Sequence, residues 1–578
     1  VRNLKLLDGL ALAALLALAV AWASLPLTHD DLFGHLRTGE WIVTQGKVPL
    51  TDPFSFTRPG ARWITHEWGF SLLAWGLWRL GGYPALILTR VLFVLAIGWG
   101  IARQALAETD REVPRSVPWL VLLLGLGLWM VAGELILRAA LVSELFLALT
   151  LLFLTRFRQT SGQTGRRGWL AAIAVLFFLW ANLHSGVIFG LFVLGLWTLE
   201  ALLAAPVTRR RPDLAPLFRA GPPRPYLMLL AVTIPVTLLN PNGWEVWLYP
   251  FMLSRILFAS GIAWDLGHFA AADPRSNSAF LLLVVLLLAG ALPLRRLLAL
   301  SCAEILGIAT FLTLSFRSPR FLFHFAILAL PALYRLAAGR ELTPVLRRVL
   351  PAGVVAVLAL ASATAWLEHP RRLIAPQLPE GAVRFLEAHA FRERVFNHQN
   401  YGGFLLWRRR EPIFWDGRND VFVSLVREVT TTPFPQVVEK YGVEALLIAE
   451  HDFPGIAPEI PERWGLVYWD DYSAVYLRRT PEHAALLGRL ELRLFPGFGG
   501  RPGLEQLARD PRLAPAAHGE LDRMLAAWPE NQRALYFRGV LALYQGHLEA
   551  ARQDLRAALA IRDNEQVRKV LEAIGGAQ

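Results

Sequence analysis

The chain has 578 residues, 54% of them hydrophobic and 18% charged, with a formal net charge of +12 and one cysteine, Cys302. That length exceeds a single core, and the composition is that of a membrane protein. One cysteine excludes an internal disulfide and a cysteine metal cluster, and basic residues scattered between apolar segments argue against a nucleic-acid partner.

Apolar runs suited to membrane helices are predicted at 8–27, 83–103, 118–137, 139–155, 169–182, 186–205, 225–240, 279–294, 297–315, 321–335 and 349–367. The first lacks a small-residue cleavage site and is read as a retained helix. With the N-terminus inside, the inner loops carry roughly twice as many Lys and Arg as the outer ones, and every inner loop is basic. This predicts a multi-pass protein of the bacterial cytoplasmic membrane, with everything beyond residue 368 outside the cytoplasm.

Residues 368–482 alternate short apolar strands at 394–397, 412–415 and 443–449 with helical stretches at 380–389 and 433–441. A closing hairpin pairs 464–468 with 474–478, which completes a small α/β domain. From 483 the chain is helical. The stretch 534–564, with Gly539, Gly546, Ala551, Ala558 and Leu559 in register, resembles one tetratricopeptide repeat packed on a helix pair at 503–528. A plain helical hairpin is the alternative, and a repeat would offer a protein partner a surface. The expected class is mainly α: a polytopic membrane helical bundle of about 11 spans over 1–367, then the α/β domain at 368–482, then the helical tail at 483–578.

The polar residues that stand out cluster by sequence. The loop 28–82 opens with Asp30 and Asp31, two carboxylates at the edge of the first membrane helix, where charge is costly and tends to carry function. Thr28 with Asp31 fits a capping box, so a helix is predicted from here to Gly46, placing Asp31 and His35 one turn apart on one face. An extended piece with Pro49, Asp52 and Pro53 follows. A Trp-rich helix then runs from about His66 to Leu80, lying at the interface and stopping at Gly81-Gly82.

The same side of the predicted topology collects Glu134 with Arg138, Asn182 with His184, Asn240-Pro-Asn-Gly-Trp244, Trp264-Asp265 with His268, and Arg317 and Arg320 followed by His324. A cavity lined by Arg, His and Asp suits a phosphate-bearing ligand. Each cluster also has a bland explanation, as a turn, an interface anchor or a local ion pair. There is no glycine-rich phosphate loop, no second histidine after His66-Glu67 to make a zinc-protease helix, and no Gly-x-Ser-x-Gly elbow.

On Asp30-Asp31-Leu-Phe-Gly-His35, Pro49-Leu-Thr-Asp52-Pro, His66-Glu67-Trp68, Trp180-Ala-Asn182-Leu-His184, Asn240-Pro-Asn-Gly-Trp244 and Asp416-Gly-Arg418, the chain resembles the GT-C superfamily, and within it a group of bacterial multi-spanning proteins. The resemblance implies an integral-membrane glycosyltransferase that moves a sugar from a polyprenyl-phosphate donor to an acceptor. It also implies that Asp30 or Asp31 is the catalytic residue, acting as general base or holding a divalent cation, magnesium or manganese, with Asp31 and His35 as the first ligands to consider. Expected substrate contacts are His35, Asp52, His66, Glu67, Arg138, Asn182, His184, Asn240, Arg317 and Arg320. The competing reading is a non-enzymatic envelope assembly protein whose tail recruits partners. A transporter ranks third, for want of repeated broken helices.

Overall fold

The structure is a computed structural model that describes residues 2–109, 116–259, 277–292, 294–338, 344–369, 372–375, 377–452, 460–495, 497–499 and 503–575. Trp264, Asp265 and His268 lie outside the described residues. Two compact units emerge. The first comprises residues 1–50 and 64–373, the second residues 51–63 and 374–578.

The first unit is a bundle of helices: α1 (Arg2–Ala23), α2 (Asp30–Gln45), α3 (Trp68–Glu108), α4 (Val117–Met130), α5 (Ala139–Gln159), α6 (Gln163–Leu183) and α7 (Val187–Arg210). It continues with α8 (Pro223–Thr237), α9 (Glu245–Ala259), α10 (Ser278–Ala291), α11 (Cys302–Arg317), α12 (Leu322–Ala338) and α13 (Pro344–Leu367). Each of the apolar runs read from the sequence contains a helix, although the α-helix of the 118–137 run ends at Met130 and the 297–315 run is broken at Leu300-Ser301. Among the described residues, 7 helices are long and apolar enough to cross a membrane. α4, α8, α10 and α11 have 14 to 16 residues, about 21–24 Å at 1.5 Å per residue, against about 30 Å of hydrocarbon.

One local expectation changes. The N-cap of α2 is His29, so the helix does not start on a Thr28 capping box. Its C-cap is Gly46 as expected, at φ 66° in the left-handed region that glycine adopts without strain. The Trp-rich helix stops at Gly81-Gly82 as expected: both glycines leave helical geometry, Gly82 at φ 60°, and a second helical segment of α3 runs on to Glu108.

Close packing sets α2 against α3. A Cβ on Gly39 would sit against the Ser71 carbonyl and 2.6 Å from Trp75 Cβ, so only glycine lets the two backbones approach this closely. The bundle core runs from Val91 and Ile97 on α3 through Leu147 and Leu154 on α5 to Phe325 and Leu333 on α12.

The second unit carries a four-stranded sheet of β1 (Val395–Asn397), β2 (Ala445–Ala449), β3 (Trp464–Trp469) and β4 (Ser473–Arg478), in the order β1-β2-β4-β3. β1 and β2 are parallel and the other pairs antiparallel. The predicted strand at 412–415 does not join the sheet. It pairs instead with the 51–63 segment, where Phe56 N donates to the Ile413 carbonyl at 3.0 Å and Ile413 N to the Phe54 carbonyl at 3.1 Å. The helices Glu380–Ala388 and Phe434–Tyr441 are as expected. Beyond residue 483 the described residues are mainly helical, and Gln532–Tyr544 packs on Leu548–Ile561 as a helical hairpin. The buried Asn531 side chain donates to the Trp469 carbonyl at 2.8 Å, anchoring the hairpin to β3.

Candidate functional site

Polar residues from separate stretches meet at one end of the bundle. At the start of α2, Asp30 is buried whereas the Asp31 side chain is 42% exposed, and Asp31 Oδ2 lies 3.2 Å from His29 Nδ1. Two acidic residues in the first turn also suit the positive end of the helix dipole. Burial pushes the Asp31 carboxyl up. The His29 imidazole, with His35 and Arg138 further off, outweighs it and holds the group below the usual carboxylate range. His29 is raised in turn, chiefly by Asp31.

One turn along α2, His35 faces the start of α3. Its Nδ1 lies 2.9 Å from Ser71 Oγ and its Nε2 lies 3.6 Å from Glu67 Oε2. Glu67 is the hub of the cluster. Its Oε1 stands 3.5 Å from His66 Nε2 and 3.4 Å from His184 Nε2. Burial raises the Glu67 carboxyl, but the three imidazoles bring it down to about 2. His184, at the end of α6, is lowered to about 4 by burial, against the pull of Glu67. It is therefore neutral at physiological pH. His66 stacks on Tyr249 of α9, with ring centroids 3.7 Å apart.

The remaining expected contacts divide. Arg138 pairs with Glu134 at 2.7 Å and also acts on Asp31. Asn182 is engaged by the scaffold, donating to the Phe178 and Leu239 carbonyls and accepting from Trp68 Nε1. Asn240 bonds within its own turn, to the Thr237 and Gly243 carbonyls and the Asn242 amide. Arg317 stands exposed at the end of α11, and Arg320 lies in the single 3-10 turn before α12. Asp52 belongs to the second unit, where it pairs with Arg418 at 2.6 Å while Arg418 also binds Asp416 at 2.8 Å. The Arg418 guanidinium lies 4.7 Å above the Trp63 ring.

Sequence reasoning missed His29, Ser71, Ser143 and Tyr249. Ser143-Glu144 did carry a signal, because two polar residues interrupt an otherwise apolar run. Ser143 bonds to His184, and Glu144 Oε1 lies 3.1 Å from His324 Nδ1. Among the described residues, His66, Glu67 and His184 form a potential metal-binding group whose ligand atoms lie within 4.8 Å of one another. The expected cation partners Asp31 and His35 are not in that group.

No protein-family model matches the sequence, and no curated protein does. Solved structures match. The Archaeoglobus fulgidus oligosaccharyltransferase tethered to an acceptor peptide containing the NVT sequon gives a TM-score of 0.51 at 12% identity, over 81% of this chain and 74% of that one. AglB from Archaeoglobus fulgidus, in complex with an inhibitory peptide and a dolichol-phosphate, gives 0.50 at 13% identity, over 79% and 72%. The chain shares the fold of these two structures. ArnT from Cupriavidus metallidurans in the apo state is similar at 0.48 and 16% identity, over 82% of this chain and 98% of that one. At such identities the likeness to the first two structures extends to the fold alone.

Proposed function

We propose that this chain transfers a sugar from a polyprenyl-phosphate donor to an acceptor at the extracytoplasmic face of a membrane. The observation that supports it is the meeting of His29, Asp31, Glu67, Arg138 and His184 at one end of a GT-C bundle. A related structure of the same fold holds a dolichol-phosphate.

In this reading Asp31 takes the proton from an acceptor hydroxyl. The acceptor oxygen then bonds to the sugar's anomeric carbon as the bond from that carbon to the phosphate oxygen breaks. The electron pair leaves on the lipid phosphate, whose charge is met by Arg138, with Arg317 and Arg320 at the same end of the bundle. Asp31 suits the base because it is ionised and partly open, whereas Asp30 is covered.

The test begins with native mass spectrometry of the full-length protein for a retained polyprenyl phosphate. It continues with transfer of a labelled sugar from a polyprenyl-phosphate donor in lipid nanodiscs. Protein that neither retains the lipid phosphate nor transfers from the donor overturns the proposal.

A further inference from the structure

Three imidazoles point Nε2 at Glu67, and the surroundings of each Nδ1 decide what that Nε2 can offer. His66 Nδ1 lies 3.1 Å from the Ile64 carbonyl. A carbonyl only accepts, so Nδ1 carries the proton and the neutral ring presents a bare Nε2. The Ser71 hydroxyl gives its proton to the Glu67 carbonyl at 3.2 Å. It therefore accepts from His35 Nδ1–H at 2.9 Å, and Nε2 of the neutral His35 ring is likewise bare.

His184 is the reverse. The Gly186 amide donates to its Nδ1 at 3.0 Å, and an amide N–H cannot accept. The Ser143 hydroxyl stands 2.6 Å from the same nitrogen, already accepting from Trp180 Nε1–H at 2.7 Å and with its own proton left to give. With two donors at Nδ1, the neutral ring holds its proton on Nε2, 3.4 Å from Glu67 Oε1.

We infer that His184 is a hydrogen-bond donor that positions Glu67, and not a ligand in a His66–Glu67–His184 metal centre. A histidine that binds a metal through Nε2 turns Nδ1–H toward an acceptor, which His66 and His35 do and His184 does not. Binding through Nδ1 is blocked by the same two donors. Flipping the ring exchanges Nδ1 for a carbon and leaves both donors facing it. A cation beside Glu67 would have to be held by His66 or His35. The inference stands on these hydrogen bonds and does not require that the chain transfer sugar.

The experiment is nitrogen NMR of the full-length protein in lipid with 15N-labelled histidine. His184→Gln identifies the His184 signals by their loss. Should that variant fail to fold, Ser143→Ala identifies the same ring by its shift, because Ser143 is bonded to it. The expected result is a proton-free Nδ1 and a protonated Nε2, both unchanged when Zn2+ is added. A protonated Nδ1 in the metal-free protein, or a Zn2+-induced shift of the His184 Nε2 signal to a metal-bound position, overturns the inference.

Discussion

Asp31→Asn and Asp30→Asn, made singly, separate catalysis from capping. Asparagine keeps the shape of each side chain and removes its charge and most of its basicity. At position 31 the structural loss is one ion pair with His29 on a side chain 42% exposed, and exposed pairs are worth about 0–1 kcal/mol. The helix start loses little, since His29 occupies the cap. Loss of a general base slows a reaction about 100- to 10,000-fold, or about 2.7–5.4 kcal/mol of barrier at 1.36 kcal/mol per decade. Because the site holds Asp31 below the usual carboxylate range, it is a weak base, which places the expected loss nearer 100-fold. Asp30 is buried and ought to affect thermal unfolding more than rate. The assay is sugar transfer from a polyprenyl-phosphate donor by each reconstituted variant, with unfolding in detergent as the control for folding. Full activity in a folded Asp31→Asn protein would refute the role given to this residue.

Other outcomes are expected from the same geometry. The folded Asp31 group titrates below its unfolded value of about 3.9, so its active, ionised form persists as pH falls through the ordinary carboxylate range. His29→Ala removes the imidazole that holds the group down while burial still raises it, so the acid limb of kcat/KM against pH should move upward. An unmoved limb would assign it to another group. Gly39→Ala drives a methyl into the Ser71 carbonyl and Trp75, and should destabilise the α2–α3 contact by about 1–3 kcal/mol, read as a lower unfolding temperature. Asn531→Ala removes the cap on the Ala534 amide and orphans the Trp469 carbonyl, a loss of about 2–4 kcal/mol that limited proteolysis of the tail should register. A reporter fused after Gln578 should behave as exported, and a cytoplasmic signal would contradict the proposed orientation.

Much of the bundle was legible because apolar periodicity and Gly46 are local signals: each predicted run contains a helix, and α2 ends where its glycine says. The 412–415 segment shows where local reading fails. Its β propensity is real, but its partner is Phe54–Phe56, more than 350 residues away, and no window holds both. The Asp31–His35–Glu67–His184 grouping was half legible. The residues were conspicuous as charges near lipid, yet their roles depend on Ser71, Ser143 and the Gly186 amide, which carry no charge and no motif. Asn240 shows the converse, a conspicuous residue whose side chain holds its own turn.

The opposite end of the bundle bears on how far a charge count can be pushed. Arg158 in the last turn of α5 and Arg335 in the last turn of α12 are both drawn into the bundle. Arg158 lies 2.5 Å from Glu108, and Arg335 lies 3.6 Å from Glu108 and also pairs with Glu304. Glu200 joins the same end, accepting from the Arg219, Ala220 and Ala303 amides. Cations paired this deeply bind helix ends together. Arg37 likewise pairs with Glu40 and Arg138 with Glu134, each at 2.7 Å. Acidic partners weigh little in the positive-inside rule, so pairing at either end leaves the basic asymmetry as it stands, with paired arginines counting alongside exposed ones such as Arg209 and Arg210 in the last turn of α7.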